Sequence, residues 1–476
     1  MGLSIQSDIL VVGGGAAGLM AACGAASADN HPLVTLLEKM PRPGRKIMIT
    51  GKGRCNFTNL KDWNAFSGHI RTDSRFLRPA FYNFTPEDAI AFFESEGVET
   101  VVERGDRVFP ASYKASDIVD ALSRRAISLG VMLMADSGVK RIETSPEGFV
   151  VICGGGKRYE AQKLIIATGG LSYPRTGSSG DGYAWAERLG HHLRPRFPSL
   201  TAIVPRGYKD LEAGPSVGRI AAKVLGGMDE TEIRQESALP PGYPSPTGHI
   251  PRETPLSEWG MKLCGLSLDN ITLTLGQGKD ILQQETGDIS FTDGGLEGPL
   301  GFAVSRNCVK CILNGGKPWV KIDLKPGIEA EALLGRIKRL WDEIQGDPRS
   351  RGQNIRQLSK ILLGKLLPWE AVDGFIQGNP GIFGNNKISL PALAEALKEW
   401  RMDIAGFVGY ERCVVTAGGV DTSEILPKTL ESRLVKGLYF CGEILDIDAD
   451  TGGYNLHLAF STGLLAGQSA AKAISK

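Results

Sequence analysis

The run DILVVGGGAAGLMAACGAASADNHPLVTLLE, residues Asp8 to Glu38, decides the fold. Asp8 to Val12 is a short apolar strand that leads directly into GGGAAG, and Ala17 to Ala28 is a helix of small residues. In the GxGxxG pattern Gly13 permits a tight turn, Gly15 lets a pyrophosphate approach the backbone, and Gly18 lets helix pack on strand. The helix N-terminus then offers unpaired amides and the positive end of its dipole to phosphates. A second strand, Leu33 to Leu37, ends at Glu38, a carboxylate placed to accept hydrogen bonds from ribose hydroxyls. It would repel a 2′-phosphate. This is a dinucleotide cradle with strand, helix and acid in their places, and it predicts an α/β chain with a Rossmann-type parallel sheet.

The apolar run from Ile9 to Ala28 does not read as an export signal. No Lys or Arg precedes it, and five glycines interrupt it. No other stretch is long and apolar enough to span a bilayer, so the expectation is a soluble, cytoplasmic protein with no membrane partner. Lys plus Arg (54) nearly cancel Asp plus Glu (53). A net charge of +1 supplies no overall field for nucleic acid and disfavours RNA modification. The eight cysteines are scattered. Cys308 and Cys311 form a CxxC without a second pair or histidine cluster, so SRNCVKCIL reads as one helical stripe and no metal site is expected.

Three later segments separate FAD from NAD. The loop after Glu38, Lys39 to Asn59, sets Arg42, Arg45, Lys46, Lys52 and Arg54 among glycines where the second strand opens onto the cofactor crevice. Between Gly130 and Gly170 four short strands read as a β-meander (Val131 to Ala135, Lys140 to Thr144, Phe149 to Cys153, Lys163 to Ala167), ending in Thr168-Gly169-Gly170. That ending resembles the ATG motif of FAD-dependent oxidoreductases. Near the C-terminus GLYFCGEI, Gly437 to Ile444, resembles their second fingerprint, a strand ending in Gly-Asp, with Glu443 in place of the aspartate that holds the ribityl chain. Asn455 is placed to N-cap a final helix, Leu456 to Ile474, whose N-terminus would face the flavin's pyrimidine edge.

TGKGRCNFTN (Thr50 to Asn59), ATGG, TGSSGDGYAWAERLGH (Thr176 to His191) and the ending GLYFCGE…TGGYNL together resemble the BaiN/YhiN-like flavoprotein family, over most of residues 5 to 206 and 262 to 476. That family includes an aminoacetone oxidase and a reductase of carbon–carbon double bonds in dehydro-bile-acid steroids. The resemblance implies a Rossmann-type FAD domain interrupted by a β-rich insert and a small helical part. It sets out residues 1–197 as the first part of the FAD domain, 198–325 as the β-rich insert, 326–409 as helical, and 410–476 as the C-terminal return. It places at the cofactor Gly13, Gly15, Ala16, Gly18, Glu38, Lys39, Arg45, Lys46, Gly51, Asn56, Val139, Thr168, Gly169, Gly442, Glu443, Asp446, Gly453, Tyr454 and Asn455. Where the family carries Thr-His before a Gly-rich turn of the insert, this chain has Thr292-Asp293-Gly294-Gly295, which puts a shared substrate in doubt. Gly207 to Gly260 is extra material with six prolines from Pro240 to Pro255, read as an extended loop.

Strands are expected in the insert at Thr201 to Pro205, Ser267 to Leu275 and Trp319 to Leu324, and helices at Ala330 to Ile344, Ile355 to Leu367 and Leu390 to Glu399. A small-molecule substrate is expected where the insert meets the flavin. Candidate groups are Arg54, Cys55, Asn56, Tyr173 and Arg175. Cys55 reads either as a redox partner or proton donor whose pKa Lys52 and Arg54 lower or as a packing residue, Tyr454 either as a proton donor or as a stacking ring, and Tyr173 as a further catalytic candidate. His191 and His192 would complement a helix C-terminus. The leading expectation is hydride transfer with NAD(P)H as a transient reductant. The alternatives are an amine oxidase using oxygen and a non-catalytic flavin protein that senses redox state for a partner.

Overall fold

The computed structural model describes residues 4–212, 248–384 and 387–474. Most of the Pro-rich segment read as an extended loop therefore lies outside the described residues. The chain divides into two compact units, one built from the N-terminal part through Phe197 and the stretch from Val414 onward, the other from Pro198 to Cys413 between them.

The first unit is built on a seven-stranded sheet. Strand Ser4–Val12 runs parallel to Val34–Leu37 on one side and to Arg158–Ile166 on the other, with Val12 opposite Leu37 and Ile166. These are the apolar runs of a buried parallel sheet. Met132–Met134 pairs in parallel with Val34–Leu37 at the edge, so it belongs to the Rossmann sheet and not, as its position suggested, to a meander. The antiparallel part consists of Val139–Ser145, Gly148–Cys153 and the first half of Arg158–Ile166. The second half of that strand changes partner and pairs in parallel with Leu438–Phe440, which brings the C-terminal fingerprint beside the N-terminal one.

Helix Ala16–Ala26 crosses the C-terminal helix Tyr454–Lys472 through small residues. A β-carbon on Gly467 would lie 2.0 Å from the Ala21 carbonyl oxygen, and one on Gly463 would lie 2.3 Å from that of Ala17. The crossing is close because glycine is there. Among the described residues no helix is long and apolar enough to cross a membrane.

In the second unit six strands close into an antiparallel barrel: Ile203–Pro205, Gly295–Glu297, Asp280–Thr292, Ser267–Gln277, Pro318–Asp323 and Trp400–Phe407. Leu268, Ile271, Leu273 and Leu275 point inward from one strand, and Phe291, Val320, Ile322, Trp400 and Phe407 fill the same core. Helices Ala330–Gly346, Ile355–Gly364 and Leu390–Lys398 form close to where the apolar periodicity put them. The closing strand Trp400–Phe407 lies inside the stretch read as helical, so barrel and helices are interleaved in sequence. Cys308 and Cys311 lie buried on one helix, Gly298–Leu313.

Candidate functional site

At the first turn the three glycines have three distinct surroundings. Gly13 has φ +106°, and a β-carbon on it would approach the Ala167 carbonyl oxygen to 2.6 Å. A β-carbon on Gly18 would lie 1.8 Å from the Gly13 carbonyl oxygen. Gly15 is different: nothing lies within 4 Å of the place where its β-carbon would be. The helix that begins at Ala16 has no side-chain cap, so its first amides have no such acceptor. Open space before an uncapped helix N-terminus is what a pyrophosphate requires.

Glu38 closes this cradle. One carboxylate oxygen accepts from the Gly14 amide and the other from the Met40 amide, both at 2.7 Å. Burial pushes its carboxyl above the usual carboxylate range, and the two amides partly offset this. Each oxygen keeps a lone pair for a ribose hydroxyl. Glu38→Ala should weaken FAD binding roughly tenfold to a hundredfold, the worth of about 1.5–3 kcal/mol for hydrogen bonds to a charged group. It should also lower the unfolding temperature of the apoprotein, since the two amides lose their acceptor. Fluorescence titration of the apoprotein with FAD measures the first effect, and an unchanged Kd would remove Glu38 as a ribose ligand.

Among the described residues, two buried oxygens at positions expected to face the cofactor have no protein partner: Asn56 Oδ1 and Thr168 Oγ1. Buried polar atoms ordinarily find a partner, and a bound dinucleotide would supply one. Gly453 adjoins the first of them, since a β-carbon there would lie 2.8 Å from Asn56 Oδ1. Val139 stands at the start of its strand opposite Cys153, and Gly169 follows Thr168 with φ +73°. The residues present fit FAD.

Other expected positions are engaged within the protein. Lys39 bonds the Ser179 hydroxyl and pairs with Asp181 at 2.8 Å. Lys46 meets the Ser172 hydroxyl and pairs with Glu443 at 2.5 Å. Arg45 and Gly51 are exposed, Gly442 takes φ +75°, and the Asp446 amide donates to the Val420 carbonyl. Ser172 and Thr416 are members of the Glu443 cluster that sequence reasoning missed. No local signal marks Thr416, which meets Leu171 and Ser172 from about 245 positions away.

Several expectations are corrected. Asn455 does not cap the last helix. The helix starts at Tyr454, its N-cap is Gly453 with φ +96°, and Asn455 instead pins the preceding loop. Its side chain donates to the Ala449 and Asp450 carbonyls and accepts from the Ala449 amide. Cys55 is fully buried, and burial pushes its thiol up to about 12, so Lys52 and Arg54 do not activate it. Arg54 lies over the Phe109 and Tyr113 rings instead. Tyr454 is buried, stacked on His69 at 4.4 Å, and its phenol is pushed above its ordinary range by burial. His191 and His192 both pair with Glu424, and His191 also meets Ser432, so they tie loops together rather than answer a helix dipole. Tyr173 is half-buried in a left-handed conformation, φ +52°, next to Ser172, and Arg175 is exposed.

In the second unit Asp293, at the turn where the resemblance leads to a histidine, is paired with Arg412 and, at 3.3 Å, with Arg252. Burial works against ionisation there, yet the two guanidinium groups hold its carboxyl below the ordinary range. Arg412 also pairs with Glu297 at 2.6 Å. Among the described residues, no group of three or more His, Cys, Asp or Glu could hold a metal ion.

A parallel sheet, the glycine cradle, its acid and a C-terminal return define the class: a Rossmann-type FAD-dependent oxidoreductase. The family described as HI0933-like protein Rossmann domain matches residues 7–469, and the chain belongs to it. It is 30% identical over 468 residues to the 3-dehydro-bile acid delta(4,6)-reductase of Clostridium scindens, covering 98% of this chain and 100% of that protein. It is 28% identical over 470 residues to the ribosomal RNA dihydrouridine synthase of Haemophilus influenzae, covering 97% of each. The Escherichia coli protein of the same name is 28% identical over 460 residues, 96% of each chain.

Proposed function

We propose that this protein is an ene-reductase: it saturates a carbon–carbon double bond conjugated to a carbonyl in a small organic substrate, with NAD(P)H as the ultimate reductant. One observation carries this reading. Three relatives that align with nearly the whole chain are named for reactions of this kind. A 3-dehydro steroid with Δ4,6 unsaturation and a uridine ring both present a double bond made electron-poor by a carbonyl. The net charge of +1 gives no field to concentrate RNA, which favours the small molecule.

FAD, when bound, supplies the hydride that adds to the electron-poor carbon. Gly13, Gly15, Ala16, Gly18 and Glu38 would hold its adenosine diphosphate half, with Val139, Asn56, Thr168, Gly169 and Gly453 lining the rest. The uncapped start of the Tyr454–Lys472 helix offers amides and a positive dipole end to negative charge. The carbon next to the carbonyl then needs a proton. Of the three candidates, Cys55 and Tyr454 are buried, whereas Tyr173 is half-exposed, and we assign it the proton donor's role.

Anaerobic stopped-flow experiments test the reading in two halves. NADH or NADPH should bleach the yellow protein, and a conjugated enone steroid should recolour it faster than oxygen does. Bleaching by amines but not by nicotinamides would make it an amine oxidase. Recolouring only by a uridine-containing rRNA fragment would move the substrate to RNA. No response to any reductant would leave a non-catalytic flavin protein.

A further inference from the structure

Glu443 stands where the second fingerprint ends on aspartate elsewhere, and its extra methylene takes the carboxylate to protein donors. Oε1 accepts from the Ser172 hydroxyl at 2.5 Å and from the Thr416 amide at 2.8 Å, and Oε2 from Lys46 Nζ at 2.5 Å. Lys46 also meets the Ser172 hydroxyl, so the three side chains close a triangle. A β-carbon on Gly170 would lie 2.8 Å from Glu443 Oε1, so the carboxylate is packed directly against the Thr168-Gly169-Gly170 turn.

Each corner of the triangle comes from a different cofactor segment. Lys46 lies on the short helix Arg45–Ile49, and the Gly44 amide just before it donates to the Gly14 carbonyl of the pyrophosphate turn at 2.8 Å. Ser172 follows the Thr168-Gly169-Gly170 turn, and its amide donates to the Thr416 hydroxyl at 3.1 Å. Glu443 follows strand Leu438–Phe440. The Lys46 and Glu443 side chains are only 23% and 19% exposed, so water screens their pairing weakly.

We infer that Glu443 is a positioning residue of the FAD site: it acts through Lys46, Ser172 and Thr416, holding three cofactor segments in register, rather than as a ligand of the ribityl chain. The inference rests on the FAD reading above. Protein donors already fill three of this carboxylate's roughly four acceptor sites before any cofactor arrives. Assembling the segments beforehand spares their ordering when FAD arrives, and that saving appears as affinity.

The test is a double-mutant cycle on FAD affinity, read by fluorescence titration of apoprotein, with Glu443→Asp as a further variant. Glu443→Gln keeps the shape and an acceptor for Ser172 and Thr416 but turns a donor toward Lys46. Glu443→Gln and Lys46→Met should each weaken FAD about tenfold, and the double variant should be no weaker than either single one, as residues in one network couple. Glu443→Asp keeps the charge, yet should bind FAD more weakly because it falls short of Lys46. Lys46→Met leaves Glu443 its two other donors, so it keeps the test open if Glu443→Gln does not fold. Additive singles, or Glu443→Asp binding FAD as tightly as the natural protein, would overturn the inference. Natural protein that takes up no FAD at all would overturn the FAD reading itself, a distinct outcome.

Discussion

Gly18→Ala should yield protein that retains no FAD and unfolds at a markedly lower temperature. Its new methyl would lie 1.8 Å from the Gly13 carbonyl oxygen and 3.3 Å from the Ala167 β-carbon. Neither is the movable end of a long side chain. The Gly13 carbonyl belongs to the turn, and Ala167 directly follows the neighbouring strand, so the turn must open or the helix must lift from the sheet. Overpacking a core ordinarily costs about 1–3 kcal/mol, and a clash with backbone belongs at or above the top of that range. Gly15→Ala is the contrasting variant. Gly15 has φ −81°, a conformation alanine adopts, and no atom lies within 4 Å of the new methyl. Its apoprotein should unfold as the natural one does. Its methyl would occupy the space assigned to the pyrophosphate, and losing two charge-assisted hydrogen bonds is worth about 4 kcal/mol, roughly a thousandfold in affinity. Calorimetry of the two apoproteins and FAD titration separate a fold lesion from a ligand lesion. If Gly15→Ala binds FAD normally, the phosphates lie elsewhere.

The same contrast explains what was legible in the sequence. The first turn is readable because its constraints are local: a glycine with positive φ, an open glycine and a packing glycine fall within six residues and need no distant partner. The barrel was only partly readable. Its strand Ile203–Pro205 pairs with Trp400–Phe407, about two hundred residues away, and no local pattern encodes that pairing. The closing strand was hidden behind the helical stretch before it. Met132–Met134 was assigned to a meander because it precedes one in sequence, although its partner is Val34–Leu37.

Site residues divide along the same line. Glu38 is marked by its spacing from Gly18, and its carboxylate meets the Gly14 amide of that turn. Cys55 was misread because Lys52 and Arg54 flank it in sequence, while in the fold Arg54 turns to Phe109 and Tyr113 and the thiol is sealed away. Adjacency in sequence is a poor guide to electrostatics when one side chain is buried and its neighbours are exposed. Residue type makes Asn455 a candidate cap, but Gly453, through its left-handed φ, makes the turn into the helix and frees Asn455 to hold the loop. Glu443 was recognised as an acid in the right place, but its three donors come from positions scattered over the chain.

Tyr173→Phe should slow the substrate half of the reaction about a hundredfold, at the lower end of what a positioned acid contributes, and leave reduction of the flavin by NAD(P)H unchanged. Adding hydride to one end of a polarised double bond leaves the carbon beside the carbonyl needing a proton, which a phenol hydroxyl can give. Tyr173 is half-buried and takes φ +52°, a conformation that costs a residue with a β-carbon about 1 kcal/mol or more. Its surroundings enforce that conformation. On one side the Ser172 amide is fixed by the Thr416 hydroxyl and the Ser172 hydroxyl by Glu443. On the other the Thr176 amide and hydroxyl both donate to the Tyr173 carbonyl, at 2.9 and 2.8 Å. A strained residue clamped from both sides is held in one place, which an acid must be. Cys55→Ser and Tyr454→Phe serve as comparisons and should leave both halves within a fewfold of the natural rates. The measurement is anaerobic stopped-flow in H2O and D2O, where the natural enzyme's substrate half should show a solvent isotope effect. If Tyr173→Phe runs that half at the natural rate with the isotope effect intact, the proton comes from another group or from water, and the tyrosine's strained backbone serves only to shape the loop.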